Sequence, residues 1–239
     1  YFGIYGQDEI QVKSNFKATI GLRIDVPFFG ETALRNTDVE SLNFRNPAGE
    51  SIRFRTDQLP EANILWSPRV GFNWDVFEDQ KTQVRGGTGI FTGRPAYVWI
   101  SNQVGNNGIL TGFAQFDNTL ERPFNPDPDL WRSNIAIDQL LPGGFVATGE
   151  FIYNSDVNGI AYYNANLPAA SSAFTGPDTR PLWASGNRIN SNIPNAVTLS
   201  NQAVGRSWVA SVSIEKPFAN GLYVKAAYNY SSAKNTVDP

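Results

Sequence analysis

Phe16-Lys17-Ala18-Thr19-Ile20-Gly21-Leu22-Arg23-Ile24-Asp25-Val26 alternates without an exception. Phe16, Ala18, Ile20, Leu22, Ile24 and Val26 fall on one face. Lys17, Thr19, Gly21, Arg23 and Asp25 fall on the other. Successive side chains of a strand point to opposite faces, so this segment is a strand between two different surroundings. A helix would smear its charges around the whole circumference.

The same split recurs along the chain. Val70, Phe72, Trp74 and Val76 oppose Arg69, Gly71, Asn73 and Asp75. Val84, Thr88 and Ile90 oppose Gln83, Arg85 and Gly87. Trp131, Ser133, Ile135 and Ile137 oppose Arg132, Asn134 and Asp138. Phe145, Ala147, Gly149, Phe151 and Tyr153 oppose Thr148, Glu150 and Asn154, with Val146 and Ile152 also on that second face. Trp208, Ala210, Val212 and Ile214 oppose Ser207, Ser211, Ser213 and Glu215, and Leu222, Val224, Ala226, Tyr228 and Tyr230 oppose Lys225, Asn229 and Ser231. The first strand, Phe2 to Val12, is rougher, because Asp8 falls on the apolar face. Asp8 apart, the charges within these strands keep to one side.

The strands come in pairs across tight turns near Ser14-Asn15, Glu78-Asp79-Gln80, Pro142-Gly143 and Asn220-Gly221. Long connections run roughly over 28–67, 93–129 and 158–205. Short on one side and long on the other is the threading of an outer-membrane barrel, and strands of about ten residues are long enough to cross a bilayer. A soluble sandwich also alternates, with its apolar face inside. Its strands average only about 5–6 residues, however, and its loops need not alternate short with long. The expected fold is all-β: a segment of an antiparallel transmembrane β-barrel with short periplasmic turns and long extracellular loops. A Lys or Arg facing lipid at mid-bilayer costs about 2–4 kcal/mol, so the apolar rows are expected to face lipid and the charged rows the interior. Asp8 is then expected near an interface, where that cost falls away.

The 239 residues carry 19 basic and 22 acidic side chains and no His, Cys or Met. A slight negative charge without a basic block speaks against nucleic acid as a partner. Disulfides, Cys-type zinc sites and a Ser-His-Asp triad are excluded, and the commonest general base and metal ligand are missing. No catalytic residue, cofactor or metal is expected from this segment. An outer-membrane hydrolase would need its nucleophile and base from elsewhere. The chain opens on Tyr1-Phe2-Gly3 within a strand and stops at Pro239 just after another, so a piece of a longer protein is expected.

Several stretches resemble TonB-dependent outer-membrane receptors of the Oar-like group common in Bacteroidetes. They are YGQDEIQV at Tyr5–Val12, TIGLRIDVP at Thr19–Pro27, SPRVGFNWDVF at Ser67–Phe77 and RGGTGIFTGRPAYVWISNQ at Arg85–Gln103. YYNANLP at Tyr162–Pro168, the FTGPDTRP after it, and SIEKPFANGLYVKAAYNYSSAK at Ser213–Lys234 complete the series. The resemblance implies a barrel closed by further strands, plugged by an N-terminal domain and coupled to TonB. Residues 1–239 would form part of one such barrel domain, with plug and remaining strands lying outside them. Implied partners are outer-membrane lipid, the rest of the same barrel and its plug, and the TonB complex; a surface lipoprotein or another outer-membrane subunit stays open. The alternative function is a passive porin or a structural surface protein.

Two groups of residues are candidates for contact. Lys17, Arg23, Asp25, Arg69, Asp75, Arg85, Arg132, Asp138, Glu150, Glu215 and Lys225 form the charged rows and would meet a plug or substrate, or else solvate a wet lumen and pair across strands. Arg94, Tyr97, Trp99, Tyr162, Tyr163, Arg180 and Trp183 mix cations with rigid aromatics in the long connections. Such side chains contact ligands at low entropic cost, but they also pin loops together or sit in an interfacial girdle. Asp127-Pro128-Asp129 with Asp117 offers hard oxygens to Ca²⁺ at a spacing unlike an EF-hand, and loop solubility is the expected role. Gly86-Gly87-Thr88-Gly89 lacks the Lys-Ser/Thr and helix of a phosphate-binding loop, so close packing on a strand is expected instead.

Overall fold

A computed structural model describes residues 1–109, 115–120, 126–219 and 221–235, with backbone alone for 115–120 and 219. Strands β1 (Phe2–Lys13) and β2 (Phe16–Val26) open the chain. Helix α1 (Thr37–Glu40) and two-residue strands β3 (Phe44–Arg45) and β4 (Ser51–Ile52) follow. Next come β5 (Leu65–Asp75), β6 (Thr82–Thr92), helix α2 (Tyr97–Gly105), β7 (Gln115–Leu120), β8 (Asp129–Leu141) and β9 (Phe145–Asp156). The last third holds β10 (Gly159–Asn164), β11 (Ser172–Ala173), β12 (Pro181–Leu182), β13 (Asn195–Gln202), β14 (Arg206–Ala219) and β15 (Leu222–Lys234).

Eight long strands form one antiparallel sheet in the order β1-β2-β5-β6-β8-β9-β14-β15. Every neighbour in that order is also the next long strand in sequence, which is the up-and-down meander of a barrel wall. β1 and β15 are not paired with each other, so the wall is an open arc. The turns obey local chemistry. Gly143 and Gly144 take φ of 82° and 76° after Pro142, a left-handed conformation that favours glycine. Glu78 and Gln80 also have positive φ, and there the Asp75 carboxylate accepts the Gln80 N–H at 2.9 Å while Asp79 accepts that of Lys81 at 3.0 Å. The Asn220 half of the last turn lies outside the described residues.

Register keeps the two faces separate across the whole arc. Ile20 pairs with Val70, Val70 with Thr88, Thr88 with Ser133, Ser133 with Tyr153 and Tyr153 with Trp208. A slip of one residue anywhere would exchange the faces. The apolar row is open to the surroundings: Ile20, Val70, Ile135 and Val212 are each more than half exposed. Gly86 lets this row pack closely, since a Cβ there would stand 2.9 Å from the Phe72 ring and from the Asn134 carbonyl.

Two sequence expectations need correction. Asp8 pairs with Ile20, well inside the ladder that runs from Phe2↔Val26 to Lys13↔Phe16, and so lies near mid-strand, away from either interface. β1 runs from Phe2 to Lys13, so both strand ends lie well away from Asp8. The last two strands are longer than their alternation suggests, which brings Arg206, Lys216 and Lys234 onto the apolar row, where they pair with Ser155 and with one another or with Val224. They stand at strand ends, where a cation on the outer face costs little.

The long connections are not independent loops. β13 pairs antiparallel with β10 and parallel with β7, making a three-stranded sheet from the second and third connections. β13 therefore stands outside the wall. Val39, Phe44 and Phe54 of the first connection pack with Ala165, Ile193 and Ala196 of the third, with Leu42, Ile52 and Tyr163 at the edge. Ile100 and Leu199 form a second cluster with Phe29, Leu59 and Ile160. All three connections thus share one layer with its own apolar core.

Candidate functional site

The wall's second face gathers the charges. Gly3 pairs with Asp25, Arg23 with Ser67, Gly21 with Arg69, Arg85 with Asn73, Gln83 with Asp75, Gln83 with Asp138, Gly89 with Arg132, Ala136 with Glu150 and Glu215 with Lys225. With Lys17 opposite Asn73, all the charged-row candidates share this one face. Several neutralise one another. Arg85 Nε meets Asp138 at 2.9 Å, Lys225 meets Glu215 at 3.0 Å, Lys17 meets Glu9 at 3.0 Å and Arg23 holds Asp25 at 2.6 Å. Thr148 Oγ1 adds a hydrogen bond to Asp138 at 2.7 Å.

Arg69 has a different setting. Its guanidinium carbon lies 4.9 Å from the centre of the Phe91 ring and 5.5 Å from that of Tyr5. Gly21 and Gly89 are its register neighbours on either side, and neither has a side chain to block those rings. Cation–π contact with both rings fixes the Arg69 head against the inner wall.

At the extracellular end of the wall a knot of acidic groups joins strand tops to loops. Asp129 accepts from Thr92 Oγ1 at 2.7 Å and from Asn158 Nδ2 at 2.9 Å, so one carboxylate ties β6, β8 and the start of the third connection. Ser67 and Thr92 hydroxyls meet at 2.9 Å. Asp25, Asp127 and Asp129 are all buried. Burial, with the Asp129 and Asp25 charges beside it, pushes the Asp127 carboxyl up to about 6, against the pull of Arg94. Burial also raises the Tyr1 hydroxyl to about 12, helped by Asp127 and Asp25. The expectation that Asp127 and Asp129 keep a loop soluble is therefore wrong: they are interior groups, held where strand ends and loops converge. Among the described residues no set of three or more acidic side chains is arranged to hold a metal ion. The Asp117 side chain lies outside the described residues.

The loop candidates separate. Arg94 stacks over the Tyr1 ring at 5.1 Å, at the foot of the loop layer. Tyr97 and Trp99 stand exposed on α2, a helix where the sequence suggested a plain loop. Tyr162 and Tyr163 point to opposite sides of β10: Tyr162 is 58% exposed, whereas Tyr163 packs against the Phe44 cluster. Arg180 is held by Asp178 at 2.9 Å, and that contact lowers the Asp178 carboxyl below its usual range. Trp183 Nε1 donates to the Pro168 carbonyl at 2.9 Å, which holds the ring down on its own connection.

Sequence reading missed the asparagines. Asn166 is fully buried and donates to the carbonyls of Asn190 and Ile193, while its Oδ1 accepts the Asn190 N–H at 2.8 Å. Asn164 accepts the Ala196 N–H at 2.9 Å, and Asn190 reaches across to the Asn43 carbonyl at 2.8 Å. These amides satisfy backbone that the irregular loops leave without a ladder. The signal in the sequence is the Asn-Ala-Asn run at 164–166, read there only as part of a family resemblance.

An antiparallel arc of long strands, greasy outside and charged inside, with short turns at one end and folded loops at the other, is the wall of a bacterial outer-membrane barrel. Residues 1–128 match the outer membrane beta barrel domain family, and the chain belongs to that family. Among solved structures, the copper transporter OprC is similar over 98% of this chain and 29% of its own, with a TM-score of 0.56 and 11% identity. A variant of the ferric enterobactin receptor PfeA from Pseudomonas aeruginosa is similar over 96% of this chain and 26% of its own, with TM-score 0.54 and 13% identity. The siderophore receptor PirA from the same organism gives 97% and 34%, TM-score 0.53 and 15% identity. At such identities the likeness is one of fold. The chain spans about a third or less of the length of these proteins. No curated protein sequence matches it.

Proposed function

We propose that residues 1–239 form part of one barrel domain of a TonB-dependent outer-membrane receptor of the Oar-like group, with plug and remaining strands supplied elsewhere in the same protein. The observation that carries this reading is the gathering of all three long connections into one cored layer at a single end of the wall. A passive pore has no need of so rigid a surface at its mouth, whereas a receptor does, because preorganised contacts lose less entropy on binding. The charged row lines the interior, mostly neutralised within the wall, with Arg69 held by the Tyr5 and Phe91 rings. The exposed aromatics Tyr97, Trp99, Tyr162 and Trp183 are the surface available to a ligand, with Tyr163, Arg94 and Arg180 as supports. Without His, Cys or Met the segment offers no soft metal ligand, so it engages its ligand by stacking and hydrogen bonding. The neighbours' copper and siderophore cargoes do not carry over residue by residue.

The full-length protein in a planar bilayer is expected to show no steady ion conductance and to bind the TonB C-terminal domain. Steady conductance without TonB binding would replace this reading by the passive pore.

A further inference from the structure

Arg69 stands apart within the inward row. Asp25, Glu9, Asp138 and Glu215 each have a cation beside them. Among the described residues Arg69 takes part in no ion pair and makes no side-chain hydrogen bond. Its Nε is buried without an acceptor, whereas the outer nitrogens of the guanidinium are not sealed off. The wall builds a niche around this side chain. Gly21 and Gly89 are its register neighbours. A Cβ on Gly89 would come 3.1 Å from Arg69 Cγ and 2.8 Å from the Pro68 carbonyl, so glycine there leaves the Arg69 stem its place. The Gln7 side chain lies over Gly21, 3.6 Å from where a Cβ would stand, and its Oε1 accepts from the Tyr5 hydroxyl. That bond orients the Tyr5 ring beside the guanidinium, and Phe91 supplies the second ring.

The head of Arg69 points toward the extracellular mouth. Tyr5 pairs with Arg23 and Arg23 with Ser67, one step nearer the mouth than Arg69, and Phe91 stands two residues beyond Gly89 on the same side. A guanidinium carbon 4.9 Å and 5.5 Å from those ring centres therefore lies mouthward of its own backbone. Arg132 occupies the same register line across Gly89, and among the described residues it too takes part in no ion pair. The two cations stand two strands apart, about 10 Å at ordinary spacing and close to the screening length in physiological salt, so Arg132 adds attraction from a distance. The inward carboxylates nearby are engaged elsewhere. Asp25 accepts two hydrogen bonds from Arg23, at 2.6 Å and 2.8 Å. Asp156 lies three strands from Arg69 and turns onto Gly159, where a Cβ would come 2.8 Å from its Oδ2. This level of the wall thus offers positive charge that no described carboxylate neutralises.

We propose that Arg69, clamped by Tyr5 and Phe91, binds the carboxylate of a solute that enters from the extracellular mouth. The proposal rests on the receptor reading and adds the chemical class of the ligand. A guanidinium presents a planar fork of N–H donors that matches a carboxylate in two parallel hydrogen bonds. The two rings hold that fork in place before the ligand arrives, so less rotamer freedom is lost on binding. The low-dielectric wall behind it and the Arg132 charge beside it strengthen the attraction.

The test uses the full-length protein in a neutral detergent with three probes: succinate, the uncharged dimethyl succinate, and sodium chloride at matched ionic strength. Isothermal titration calorimetry is expected to show saturable binding of succinate alone. Arg69→Gln is expected to weaken that binding about tenfold or more, as the loss of charge-assisted hydrogen bonds does. Phe91→Leu keeps the charge but loosens the clamp, and is expected to weaken binding about threefold. Heat-modifiable gel migration checks that both variants fold as barrels, and either one alone suffices if the other does not fold. No saturable succinate binding, an equal response to either other probe, or a folded variant of either kind that binds succinate like the unaltered protein would overturn the proposal. An acidic side chain of the protein's own plug already seated on Arg69 would show itself as the first of these outcomes. Failure with succinate while the TonB domain still binds would strike the Arg69 site alone, whereas failure to bind the TonB domain would strike the receptor reading.

Discussion

The wall and the loop layer solve opposite problems with the same amino acids. In the loop layer Phe44, Val39 and Ala196 are almost wholly buried, as in any water-soluble domain. In the wall Trp66, Ile135 and Val212 are each more than half exposed, while the polar row turns inward. The difference is the solvent. Water around the loops drives apolar groups together, whereas hydrocarbon around the wall removes that drive and leaves backbone pairing to hold the strands. A hydrophobic side chain in this protein therefore signals core or surface only once its region is known.

Three experiments on the full-length protein break or sharpen that contrast. The largest effect is expected from Phe44→Ala. Its ring packs at a tilt against Phe54, 5.3 Å between ring centres, inside the loop core, and removing a buried Phe costs about 3–5 kcal/mol. Limited proteolysis is expected to cut the first connection much faster, with the barrel still heat-modifiable. If the loops stay protected, the layer has no cooperative core.

Next comes Ile135→Arg on the wall, whose register neighbours Gly86 and Phe151 carry no charge. A cation at that depth is expected to cost about 2–4 kcal/mol, read as a lower urea midpoint for barrel unfolding in lipid vesicles. An unchanged midpoint would mean that Ile135 does not face hydrocarbon.

The smallest effect belongs to the seam between the regions. The Asp127 carboxyl is raised from 3.8 to about 6 in the folded protein, so the folded state holds its proton more tightly than the unfolded chain. Stability contributed here is greatest below the unfolded value and falls as pH rises from about 4 to about 6, levelling off above that. Unfolding temperatures at pH 4.5 and 7 are expected to show this loss, and Asp127→Asn is expected to remove its part of the difference. A pH response that survives the variant undiminished would place its origin elsewhere.

How much was legible in the sequence follows the same division. The eight wall strands and their faces were readable, because alternation is local and every wall strand repeats it. Phe16–Val26 alone states the rule. Strand ends were not readable, since nothing at Ser207 or Ser231 announces that pairing continues to Arg206 and Lys234. The loop layer was opaque: Phe44 meets Ile193 only after a large stretch of chain has intervened, and no periodicity links them. Tyr162 and Tyr163 look alike in sequence, yet β10 sends one outward and the other into the core. Asp127 looked like a solubilising loop residue until strand ends and loops closed around it.

Alternating polarity and turn residues by themselves determined that this chain makes a membrane-spanning antiparallel wall, because a strand's faces are set two residues at a time. Tertiary structure alone decided that three separate connections share one core, that acidic groups are buried at the mouth, and that two cations meet on the outer rim. Those features depend on contacts between residues far apart in the chain, which local chemistry does not encode.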